Sequence, residues 1–160
     1  MIKNPITLIV GECGVGKTWV MKNLLNDTKG YKLGMYYFHE NEKNIIVGKY
    51  DGSKFEGSDK LSMAVMRDLD SMLKYISIKD KFAFFEGDRF MNKNFINKAN
   101  PYIIKIKGDG QLGRDKRNTT QTERQLKTIK TRVKNIKENI IVKDSLDCLL
   151  LIKKRLKWNE

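Results

Sequence analysis

Positions 11 to 18 read Gly11-Glu12-Cys13-Gly14-Val15-Gly16-Lys17-Thr18, filling the spacing G-x-x-x-x-G-K-S/T without a gap. No other stretch restricts the chain as strongly. Ile6 to Val10 before it reads as a short buried strand, and Trp19 to Leu25 after it continues as a helix. Strand, glycine loop and helix in that order form a phosphate cradle. Gly11, Gly14 and Gly16 let the backbone bend around an anion with its N–H groups turned inward, toward the positive end of the new helix. Lys17 then reaches the β and γ phosphates of a nucleoside triphosphate, and the Thr18 hydroxyl is placed for Mg²⁺. All eight residues, with Glu12, Cys13 and Val15 between the glycines, belong to the expected nucleotide site.

A length of 160 residues suits one domain, taken as 1–160, and is long enough to bury a single sheet with helices on both faces. The chain is 40% hydrophobic with 2 Pro, as expected of a compact globular protein. No apolar run approaches the ~20 residues of a membrane span, and the N-terminus lacks an apolar signal core. A cytoplasmic protein without a membrane partner is expected. Two Cys, Cys13 and Cys148, and one His, His39, are too few for a structural zinc site, so no structural metal is expected. The thiols have no framework spacing and are expected to stay reduced, and His39 reads as a strand-end polar residue.

The net charge is +13, carried by 25 Lys and 7 Arg beside 13 Asn. Codons of an AT-rich genome load a surface with Lys and Asn, so charge by itself says little and location decides. Between Pro101 and Lys137 there are 11 basic residues against Asp109, Asp115 and Glu123, and four of the seven Arg fall there: Arg114, Arg117, Arg124 and Arg132. Arg is what such a codon bias disfavours, and it forks onto phosphate oxygens. This cluster is read as functional.

In chain order, Leu33 to Phe38 and Asn44 to Val47 look like a hairpin pair, and 48–60 like a long exposed binding loop. A helix is expected over about 60–75, with Leu61, Val65, Leu69 and Met72 on its buried face and Ser58 or Asp59 as its cap. Lys81 to Glu86 reads as an apolar strand ending on a carboxylate, followed by a turn at Gly87-Asp88-Arg89-Phe90. A short helix over 91–97, a strand over 102–106 and a flexible stretch over 108–113 come next. A nearly all-polar helix over 119–137, thinly held and therefore expected to move, precedes a strand at 139–142. The last helix, 145–158, is expected to pack Leu146, Leu149, Leu150, Ile152 and Leu156 on the sheet. The alternation predicts an α/β three-layer sandwich with a mostly parallel sheet, a P-loop kinase-like arrangement with a basic lid over about 108–137.

Phosphoryl transfer needs a cradle, a metal between the phosphates, cations on the charged oxygens and a group that orients or deprotonates the acceptor. The residues offer each: Gly11 to Thr18; Thr18 and, through water, Glu86 for the metal; Arg114, Arg117, Arg124 and Arg132 as mobile cations. A lid carrying those Arg would expel water and protect ATP from hydrolysis, although each Arg can equally be a solvated surface residue. Glu86, Asp88 and Asp59 are the carboxylates to weigh as base, and Asp59 can instead cap a helix.

Gly48-Lys49-Tyr50, Gly57-Ser58-Asp59-Lys60-Leu61-Ser62, Glu86-Gly87-Asp88-Arg89-Phe90 and Lys130-Thr131-Arg132 with Asn135-Ile136 follow the P-loop in that order. This pattern resembles phage-encoded P-loop kinases similar to nucleotide kinases, and most of all the 5-hydroxymethyluridine DNA kinases; Lys49 and Lys60 stand where that pattern carries Arg. The resemblance implies transfer from ATP with Mg²⁺ to the hydroxymethyl group of a modified pyrimidine in DNA. It places the 48–62 segment, with Tyr50, Gly57, Ser58, Asp59 and Lys60, together with Arg89, near the substrate, and the 114–132 segment as lid. Tyr50, Phe55 and Phe90 are aromatic residues that can stack on an extruded base or simply pack. Two other readings stand beside this one: a small deoxynucleoside monophosphate kinase, which shares every motif, and a non-catalytic ATP-binding nucleic-acid module. Asn97-Lys98-Ala99-Asn100 lacks the acid of a GTPase base motif.

Overall fold

The computed structural model describes residues 5–53, 56–62, 64–117 and 121–158, with the backbone alone at 59, 116, 117 and 158. Its strands are β1 (Ile6–Val10), β2 (Lys29–Leu33), β3 (Tyr36–Glu40), β4 (Asn44–Val47), β5 (Phe82–Glu86), β6 (Tyr102–Ile106) and β7 (Ile140–Val142). The α-helices are α1 (Lys17–Lys22), α2 (Leu69–Lys79), α3 (Lys93–Ala99), α4 (Gln111–Arg117), α5 (Glu123–Asn135) and α6 (Ser145–Trp158). One seven-stranded sheet runs β2-β3-β4-β5-β1-β6-β7. Pairing is parallel from β4 to β7, while β3 lies antiparallel to both β2 and β4.

The central strands are short apolar runs because both of their faces are covered. Leu8, Val10, Ala83 and Phe85 point to one face, where Leu69, Met72 and Ile76 of α2, Phe95 of α3 and Val133 of α5 close the core. Ile9, Phe84, Ile104 and Ile106 point to the other, against Val20 and Met21 of α1 and Cys148, Leu149 and Ile152 of α6. These are the three layers of the α/β fold. β1 therefore feeds a helix on one face and its neighbour β5 feeds a helix on the other, which opens a crevice beyond their carboxyl ends. Ile9 lies in register with Glu86, so the glycine loop and the acidic strand tip leave the sheet side by side.

Several sequence expectations are corrected. The 33–38 run is split by a turn at Gly34, whose φ is 59°, so Leu33 closes an additional edge strand and β3 starts at Tyr36. Instead of one helix over 60–75, two 3₁₀ turns, Ser58–Lys60 and Val65–Asp68, lead into α2, which begins at Leu69. The periodic Leu61, Val65, Leu69 and Met72 are all buried, though by different local structures. Ser58 caps no helix: the residue preceding α2 is Asp68, without a side-chain cap bond. α1 ends at Lys22 rather than Leu25, and the stretch at 108–113 already starts α4 at Gln111. Leu146 and Leu150 are 53% and 55% exposed, because four-residue spacing places both on the outer face of α6 while Cys148, Leu149 and Ile152 turn inward.

Candidate active site

The loop between β1 and α1 is closed by backbone that only glycine adopts easily. Gly14 and Gly16 have φ of 91° and 101°. A Cβ on Gly14 would lie 2.1 Å from the Gly110 carbonyl oxygen, and one on Gly16 would lie 2.7 Å from Ser145 Cβ at the start of α6. The Lys17 ammonium donates to the carbonyls of Gly11, at 2.8 Å, and Glu12, at 3.0 Å, so it spans the mouth of the loop.

Across the crevice, Glu86 at the end of β5 is 4% exposed and accepts a hydrogen bond from the Tyr50 hydroxyl at 3.2 Å. Gly57 fits there because it has no side chain; its Cβ would lie 2.7 Å from Glu86 Oε1. Gly57 and Lys49 exchange backbone hydrogen bonds of 3.0 and 2.6 Å, which folds part of the 48–60 segment back on the sheet. Tyr50 N–H donates to His39 Nε2 at 3.1 Å, and burial holds the His39 pKa below its ordinary value. Glu56 completes the fold-back, accepting from Gly52 N–H and from Lys22 of α1, each at 2.8 Å. Beyond Glu86, Phe90 is fully buried against Phe85 and Phe95, with ring centroids 4.8 and 5.1 Å away, and so fixes the turn that carries Asp88 and Arg89. Asp88 pairs with Arg132 of α5. Arg89 Nε is buried without a hydrogen-bond partner.

The cover comes from α4 and α5. Gly110 and Gly113 press on the loop backbone; a Cβ on either would lie 1.9 Å from the carbonyl oxygen of Cys13 or Gly14. The Arg114 guanidinium donates to Cys13 O at 2.7 Å and to Gln111 Oε1 at 2.7 Å. α5 starts at a capping box in which Thr122 and Gln125 satisfy each other's backbone N–H groups. Its far end is tied to β6 through Lys105, which donates to Ile136 O and pairs with Glu138.

Together these walls enclose a cleft of about 1010 Å³. Gly14, Gly16, Lys17 and Thr18 line one side, Glu86, Asp88 and Arg89 the other, and Arg124 and Arg132 the α5 side. The structure thus brings together the loop, the acidic strand tip and two of the four expected lid arginines. Arg114 is outside that lining; its guanidinium is held on the loop backbone. The side chains of Arg117 and Asp59 lie outside the described residues, as does all of Phe55. Of the two roles open to Tyr50 and Phe90, stacking on a base or packing, the structure shows packing: they are 7% and 0% exposed and held in the core. Ser58 is buried against Gly87, and Lys60 is exposed and does not line the cleft.

The sequence reading missed Trp19, Lys22, Glu56, Gln121 and Thr128, all of which line the cleft. Four-residue helical spacing from Thr18 would have found Lys22. The Lys22–Glu56 pair, 34 positions apart, carries no local signal. Among the described residues no group of three or more His, Cys, Asp or Glu is placed to hold a metal by itself. No protein-family model matches the chain, and no curated protein matches its sequence.

Proposed function

We propose that the chain is an ATP-dependent P-loop kinase that transfers the γ-phosphoryl group to the hydroxymethyl group of 5-hydroxymethyluracil in DNA. The observation that carries this reading is the convergence of Lys17, Thr18, Glu86, Asp88 and Arg132 on one cleft at the carboxyl ends of β1 and β5. The glycine loop, with positive φ at Gly14 and Gly16, offers a backbone cradle for the triphosphate. The Thr18 hydroxyl and the Glu86 carboxylate are hard oxygen donors, suited to Mg²⁺, which keeps several waters and takes its other ligands from phosphates. Bound there, Mg²⁺ would neutralise charge between the β and γ phosphates.

Lys17 exchanges its loop carbonyls for phosphate oxygens, and Arg124 and Arg132 add charge from the α5 side. Tyr50 keeps Glu86 oriented by donating to it. Asp88, half-buried, is the most exposed of the three carboxylates that line the cleft and accepts the proton of the acceptor hydroxyl. As the acceptor oxygen bonds to the γ phosphorus, the bond from that phosphorus to the β–γ bridging oxygen breaks and ADP leaves. In the resting protein Arg132 holds Asp88; in the transfer it turns from the carboxylate to the phosphoryl oxygens. DNA as acceptor draws support from the pattern of short segments behind the loop and from the basic excess of the 101–137 region.

The test is transfer from γ-labelled ATP to a duplex carrying 5-hydroxymethyluracil and, separately, to a panel of free deoxynucleotides. Label on the duplex is expected. Label on free nucleotides alone would make the protein a deoxynucleoside monophosphate kinase, and label on neither would overturn the kinase reading.

A further inference from the structure

A second cleft of about 690 Å³ opens on the other side of the Asp88–Arg132 pair. It shares Asp88, Arg89, Met91 and Arg132 with the first cleft and adds residues from α3 and the end of α5. Its cations come from three separate elements: Arg89 from the turn after β5, Lys93 from α3, and Arg132 and Lys137 from α5 and the residues just after it. Asp88 is the one carboxylate among its lining residues, and it is already paired with Arg132. Neither Lys93 nor Lys137 has a carboxylate partner among the described residues, and both are exposed. Arg89 Nε lies in the shared wall, buried and without a partner. The floor is apolar, with Met66, Ile96 and Ile136, and the Asn97 and Asn135 amides stand at its edge.

Unpaired cations from separate elements over an apolar floor suit a phosphate flanked by a sugar. We infer that this second cleft binds the phosphodiester backbone of the acceptor strand, with Lys93, Lys137 and Arg89 on the phosphate oxygens. The inference rests on the kinase reading, because the strand it holds is the one that delivers its hydroxyl to the first cleft. A base within a strand has phosphates on both sides of its sugar, so a continuous pair of clefts around Asp88 fits a polymer. A free mononucleotide would leave the second cleft without a ligand.

The experiment measures binding of a fluorescent single-stranded 12-mer by anisotropy across a salt series. It uses the wild type and the double variant Lys93→Glu/Lys137→Glu, with ATP binding measured in parallel. Each lost phosphate contact lowers the slope of log K against log salt by about 1. The inference expects the double variant to bind at least about tenfold more weakly with a slope lower by roughly 2, its melting temperature and ATP affinity staying as in the wild type. Oligonucleotide affinity and slope equal to wild type, with ATP still bound, would overturn the inference and leave the kinase reading standing. Competition by thymidine monophosphate as effective as by the unlabelled 12-mer would also overturn it, assigning the cleft to a monophosphate. Failure of the wild type to bind ATP would instead sink the kinase reading itself.

Discussion

The loop side of the cleft and its α5 side are built in opposite ways. Gly11 to Thr18 is packed so closely that no Cβ fits at Gly14, against the Gly110 backbone, or at Gly16, against the Ser145 side chain. α5 is thirteen residues long, and Val133 is its one buried residue. It lines the cleft with Gln125, Thr128 and Ile129 as well as Arg124 and Arg132, and the Asp88–Arg132 pair is 34% and 39% exposed. A phosphate site made of fixed N–H groups needs no rearrangement as charge shifts, whereas arginines on a thinly anchored helix can approach and withdraw. Under the proposed kinase function, binding the donor falls to the glycine-loop side, and charge neutralisation falls to the arginines of α5.

The largest effect that would test this division is at Lys17. Lys17→Ala is expected to lower phosphoryl transfer on the order of 10³-fold, as for loss of a preorganised charge at a transferring group. The melting temperature should stay within a few degrees of wild type; retained turnover would break the rigid half of the comparison. Arg132→Ala is expected to cost about 10²-fold in kcat. An ion pair this exposed contributes at most about 1 kcal/mol to stability. Chemical denaturation of Arg132→Ala should therefore nearly overlay that of the wild type, and a large loss of stability would show α5 to be a structural strut.

How far each half was legible in the sequence follows from the same difference. The glycine loop and Glu86 were readable because local spacing and a flanking apolar strand determine them. The 60–75 helix was misplaced because Leu61 and Val65 keep helical spacing while lying before α2, in segments that include two 3₁₀ turns. β2, with the sequence Lys29-Gly30-Tyr31-Lys32-Leu33, has little to bury at a sheet edge and gives no alternating signal. Arg114 reads as a lid cation from its residue type and its place in the basic 101–137 cluster; the approach of Gly110 and Gly113 to the loop is what sets its guanidinium on Cys13 O. The second cleft joins the 88–97 segment to residues 132–137, far away in sequence, so no motif announces it.

Two smaller effects sharpen the contrast. Cys13 is half-buried in the loop, whereas burial pushes the Cys148 thiol up to about 12. Iodoacetamide at pH 8 should label Cys13 and leave Cys148 untouched, and ATP should slow that labelling; equal labelling of both would contradict the packing of α6. His39 gives the mildest test. The folded state holds its imidazole neutral, with a pKa below the ordinary 6.5. The stability this contributes is therefore fully present above pH 6.5 and lost as the pH falls below it. Urea midpoints should drop between pH 7 and 5.5 in the wild type and drop less in His39→Gln, which keeps an acceptor for Tyr50 N–H.

The most direct measurement is a calorimetric titration of the wild-type protein with ATP and with AMP, each in the presence of Mg²⁺. If the glycine loop holds a triphosphate, ATP binds at least about 10²-fold more tightly than AMP, a difference of roughly 2.7 kcal/mol, and Lys17→Ala removes most of that difference. Equal affinities for ATP and AMP, or an ATP affinity unaffected by Lys17→Ala, would contradict the account.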